Sequence, residues 1–117
     1  MSYDCIFGTD ANPRMSRTAK MNMIMHGDGH GGVHHNDGLL NVNGIFENRF
    51  DIILTNPPFG AKIAIKDKEI LEQYELGHNW IYDKESDEWQ LSEELKASQD
   101  PQILFIELCI RLLKPNG

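Results

Sequence analysis

At 117 residues, 40% of them hydrophobic, the chain has apolar material for one core and not for two. No stretch approaches the roughly 18 consecutive apolar residues a membrane helix needs, and MSYDCIFGTD has neither the basic start nor the small-residue cleavage site of an export signal, so a cytoplasmic location is expected. The formal charge of −7 argues against a nucleic-acid partner at first sight, but residues 83–100 hold seven acids and two lysines, leaving only −2 for the rest of the chain.

In chain order, CIFGTD is a short apolar run ending at Asp10, a first strand. Asn12 is then placed as an N-cap and Pro13 at the first helical position, so a helix is predicted over about residues 13–26. Met15, Ala19, Met23 and Ile24 give it an apolar stripe, and Gly27 stops it. VHHND reads as a second strand ending at Asp37, and strand, helix, strand favours a parallel right-handed crossover. Phe50 to Thr55 is nearly all apolar and β-branched, as in a strand covered on both faces of a parallel sheet. Residues 61–99 read as an irregular segment or insertion, their acidic run a solvated face. Asp100 then caps and Pro101 opens a last helix, with Leu104, Leu108 and Leu112 on one face and Glu107, Arg111 and Lys114 on another. Such a helix in an alternating fold feeds another strand, which predicts an α/β, partial Rossmann-like domain over residues 1–117. Cys5 and Cys109 lack CxxC spacing and read as reduced apolar fillers.

Two apparent motifs carry little. Gly27, Gly29 and Gly32 spell G-x-G-x-x-G, but a phosphate-binding loop must leave a strand and open a helix, whereas this one leaves a helix and enters a strand. His26, His30, His34 and His35 lack nearby cysteine or carboxylate ligands at site-like spacing, and adjacent strand residues point to opposite faces, so no metal site is expected. Asp10 and Asp37 are stronger candidates, since ligands of open α/β sheets bind at the carboxyl ends of parallel strands. The plain alternative for each is a turn-forming or capping aspartate.

DIILTNPPFG, residues 51–60, is the most informative stretch. A nucleobase amine is a poor nucleophile because its lone pair is delocalised into the ring. If the Asn56 side-chain oxygen and the Pro57 carbonyl each accept one amine hydrogen, the nitrogen becomes pyramidal and its lone pair is freed. Pro58 restricts Pro57 to extended geometry and so fixes the direction of that carbonyl. Phe59 supplies a ring on which a flipped base stacks, worth about 1–3 kcal/mol against the cost of flipping. The plain alternative is an ordinary Asn-Pro turn. Lys62, Lys66 and Lys68 follow, as phosphate contacts or as a solvated face.

With these residues the chain resembles the S-adenosylmethionine-dependent amino-methyltransferases, and specifically the modification subunit of type I restriction-modification systems. The resemblance rests on FGTDANPRMSRTAKMNMIMHG, NDGLL, FDIILTNPPFG and QDPQILFIELCIRLLKPNG, and covers nearly the whole chain. It implies Asp10 for the cofactor ribose, Asp37 for the cofactor adenine, and Asn56, Pro57, Pro58 and Phe59 as the catalytic loop around the target adenine. The implied reaction is direct transfer of the sulfonium methyl to the adenine amino nitrogen in DNA, with specificity and restriction subunits as partners. The family's glycine-rich cofactor loop falls upstream of Met1 and further strands fall beyond Gly117, so the expectation is a piece of the catalytic domain, inactive alone. Unpaired strand edges in such a piece favour self-association. Two other readings stay open: an amino-methyltransferase acting on protein glutamine or RNA, and a non-catalytic assembly module or gene relic.

Overall fold

The computed structural model describes residues 5–29, 31–40, 47–58 and 64–117, which fall into two compact units divided between residues 45 and 46. The first unit contains strand β1 (Gly8–Asp10), helix α1 (Pro13–Met25) and strand β2 (Val33–His35). β1 and β2 pair in parallel, with Gly8 opposite Val33 and Asp10 opposite His35, as the strand–helix–strand reading requires. The Asn36 N–H extends the ladder by donating to the Asp10 carbonyl at 3.1 Å.

α1 begins where its residues dictate. The Asn12 side chain accepts from the Arg14 N–H at 2.9 Å, Pro13 follows, and Gly27 leaves the helix with φ +76°. Its expected apolar stripe is corrected by the structure: Met15 and Ile24 are more than half exposed and Ala19 is exposed, while Ser16, Lys20 and Met23 form the least exposed line. A pair of three-residue strands covers only a narrow part of a helix, and the small Ser16 suits close approach to it.

The glycine turn between α1 and β2 is a product of packing. Gly29 also has positive φ, and a Cβ on Gly32 would lie 1.9 Å from the Ile6 carbonyl oxygen, so only glycine lets the chain pass there. The Gly32 carbonyl then accepts from the Gly8 N–H at 2.9 Å and starts the ladder.

The second unit contains helix α2 (Lys68–Glu72), a 3₁₀ turn (Glu75–Gly77), strands β3 (His78–Asp83) and β4 (Glu88–Leu95), and helix α3 (Pro101–Leu112). Two expectations are overturned in it. Residues 61–99 are not irregular where described, for β3 and β4 form an antiparallel hairpin with Trp80 opposite Leu91 and Tyr82 opposite Trp89. Phe50 to Thr55 is not a covered strand. Only Phe50 pairs, in a single parallel bridge to Leu113, while Ile52 and Leu54 are 76% and 92% exposed. A run that is apolar but for Asp51 becomes a ladder only when strands flank it, and among the described residues one bridge is all it finds.

α3 follows its reading closely. The Asp100 carboxylate accepts from the Gln102 N–H at 2.9 Å, Pro101 occupies the first turn, and Leu104 is fully buried with Leu108 and Leu112 half-buried beside it. The core of this unit is Ile70, Leu71, Tyr74 and Leu104. Glu107 reaches out of α3 so that its two carboxylate oxygens accept from the Glu75 and Leu76 N–H groups at 2.8 and 2.9 Å. Those are first-turn donors of the 3₁₀ helix, which has no side-chain cap of its own. Arg111, one turn on, donates to the Gln73 carbonyl, lies over the Tyr74 ring and pairs with Glu47. Gly77 completes this foot of the hairpin, because a Cβ there would lie 2.2 Å from the Leu71 carbonyl oxygen.

Neither cysteine is disulfide-bonded. Cys5 is exposed rather than a buried filler, and partial burial pushes the Cys109 thiol pKa up.

Candidate active site

In the first unit, the parallel ladder sets Asp10 and Asp37 at the carboxyl ends of neighbouring strands, both half-buried. Each uses one carboxylate oxygen locally. Asp10 Oδ1 accepts from the Asn12 N–H at 2.7 Å, and Asp37 Oδ1 accepts from the Leu39 N–H at 2.9 Å. The Asp37 carbonyl also accepts from Leu40, and Leu39 is buried, so the turn after β2 is pinned by an apolar anchor as well as by hydrogen bonds. The turn-forming reading of each aspartate is therefore correct, and it leaves the second carboxylate oxygen for another donor.

His35 acts as a brace. Its Nε2 is 3.1 Å from the Ala11 carbonyl, tying the end of β2 to the residue after Asp10. The signal available in the sequence was parity alone, which turns His34 and His35 to opposite faces. His26 is engaged within its own helix, Nδ1 lying 2.8 Å from the Asn22 carbonyl.

In the second unit, Asn56 is exposed and its side chain makes no hydrogen bond among the described residues. Pro57 is half-buried and Pro58 exposed, and no peptide bond among the described residues is cis. The run into them is tethered at its start. The Phe50 N–H donates to the Leu112 carbonyl, the Lys114 N–H donates to the Phe50 carbonyl, and Lys114 Nζ pairs with the Asp51 carboxylate. Phe59 and Lys62 lie outside the described residues, whereas Lys66 and Lys68 are exposed. The structure thus brings Asp10 and Asp37 together in one unit and holds Asn56, Pro57 and Pro58 in sequence in the other.

Residues 2–117 match the family described as N-6 DNA Methylase, and the chain belongs to that family. No curated protein and no solved structure matches the chain significantly.

Proposed function

We propose that this chain supplies catalytic and cofactor-binding residues for S-adenosylmethionine-dependent methylation of adenine N6 in DNA, as part of the modification subunit of a type I restriction-modification system, on a Rossmann-like sheet. The observation that carries the reading is Asn56: an exposed amide with no side-chain partner among the described residues, followed by Pro57 and Pro58. A buried or bonded amide would have to break its own contacts before gripping a base.

In this reading Asn56 Oδ1 and the Pro57 carbonyl accept the two hydrogens of the adenine amine, and Phe59 stacks on the flipped ring. Holding both hydrogens by fixed acceptors draws the lone pair out of the ring, and the amine passes one proton to solvent water as it gains the methyl. When bound, the cofactor supplies an electrophilic methyl on a sulfonium sulfur. Asp10 and Asp37 fit that cofactor, because each half-buried carboxylate keeps an oxygen beyond its own turn. Asp10 would accept from ribose hydroxyls and Asp37 from the adenine amine of the cofactor. DNA is the substrate, and the specificity and restriction subunits of such a system are the proposed protein partners.

The test is transfer of a labelled methyl group to DNA by the full-length protein with its partner subunits. Asn56→Ala is expected to lower the rate by about 100-fold or more, the scale seen when one preorganised charge-stabilising contact is removed. Undiminished methylation would overturn the reading, and label appearing in RNA or protein instead of DNA would redirect it.

A further inference from the structure

The register of the β3–β4 hairpin places both tryptophans of the chain on one face. Directly opposed residues of an antiparallel pair point the same way, so Trp80, Leu91, Tyr82 and Trp89 form a continuous apolar ladder, while Ile81, Gln90, Asp83 and Glu88 take the other face. The foot of the ladder is fixed, with Trp80 half-buried and its indole N–H donating to the Glu75 carbonyl at 3.2 Å. The tip is open. Tyr82, Leu91 and Trp89 are 41%, 46% and 64% exposed, and the Tyr82 and Trp89 rings lie 5.3 Å apart, tilted by 56°.

Charge surrounds this ladder. Between His78 and Leu95 there are six carboxylates and one lysine. Asp83 and Asp87 are committed to the hairpin itself, the first through Glu85, Ser86 and Gln90, the second through the Tyr82 hydroxyl. Glu85, Glu88, Glu93 and Glu94 make no side-chain hydrogen bond or ion pair among the described residues. Exposed aromatics and uncommitted carboxylates on one arm call for apolar and cationic groups together. Arginine meets both needs, stacking on an indole while pairing with a carboxylate. Phosphate is repelled by the same carboxylates, and a second copy would bring an equally acidic arm against this one.

We propose that the hairpin is a protein-docking arm whose Tyr82–Trp89–Leu91 face receives an arginine-bearing apolar surface of a partner protein. The proposal stands apart from the methylation chemistry and needs none of its residues.

A short peptide alternating arginine with leucine serves as the probe, titrated against the full chain by calorimetry and tryptophan fluorescence at low and high salt. Binding is expected, weakening with salt, and falling about fivefold in Trp89→Thr, which removes the indole but keeps a strand-forming residue. A similar fall is expected in Glu93→Gln, whose residue shares the parity of Trp89 and Leu91 along β4; this variant leaves the ladder whole and so decides the matter should the first one disturb the hairpin. The proposal is overturned if binding survives both changes, or if a glutamine–leucine peptide binds as well. It is equally overturned if a single-stranded oligonucleotide occupies the same face, or if the chain dimerises in a manner that Trp89→Thr abolishes.

Discussion

The segment from Phe50 to Thr55 and the hairpin from His78 to Leu95 are both rich in residues that favour extended chain, yet they end in opposite states. The hairpin has its partner strand four residues away and closes a ladder at once. Among the described residues the other segment has a single bridge, from Phe50 to Leu113, with α2, the hairpin and α3 all lying between them in the chain, and beyond it Ile52 and Leu54 stand open. Propensity supplies the chain with a tendency, and a neighbour within reach converts it into structure.

That contrast can be broken by mutation. The largest effect is expected from Leu104→Ala: emptying the core position of α3 should cost about 2–5 kcal/mol in urea unfolding. Hairpin tryptophan fluorescence and helical circular dichroism should shift together, because the arm's foot is built on that core. Separate transitions would show that the hairpin stands alone. Next comes Glu107→Ala, which strands the Glu75 and Leu76 N–H groups. A loss of about 1–3 kcal/mol is expected, together with faster amide exchange at the foot of the hairpin and none at Phe50. Lys114→Ala acts on the other region and removes only an exposed ion pair with Asp51. Its cost should stay within about 1 kcal/mol, since the Phe50 bridge is made by backbone groups.

The smallest effect is local and depends on pH. The Glu85 N–H, followed by the Ser86 hydroxyl, holds the Asp83 carboxyl below the usual carboxylate range. A group depressed in the folded state stabilises it above the unfolded pKa, and that contribution disappears as pH falls through the lower folded value. The hairpin turn should therefore loosen below about pH 4, seen as a chemical-shift change at Glu85 and Ser86, with the Phe50 bridge unchanged. Asp83→Asn should leave those shifts insensitive to acid.

Both long helices were legible nearly to the residue, because Asn12–Pro13 and Asp100–Pro101 are local signals whose hydrogen bonds form within one turn. The parallel pairing of β1 with β2 was legible for a similar reason: a short apolar run, a capped helix and a second run leave few ways to connect. The hairpin was not. Its turn, Lys84 to Asp87, lacks glycine, with Asp87 itself taking φ +56°, and a register shift between His78 and Trp80 hides the alternation. Residues 50–55 mislead for the opposite reason, since a run that is apolar but for Asp51 speaks of two covered faces that only other strands can provide. In the candidate site, residue types were readable and engagements were not. Nothing in Asp37 announces that one oxygen is spent on Leu39, nor in His35 that it braces Ala11.

Glu107 caps a turn more than thirty positions upstream of itself. During synthesis the hairpin leaves the ribosome before that carboxylate does, so its foot waits open until the final helix has emerged and coiled. The arm is therefore locked by the same step that completes the core.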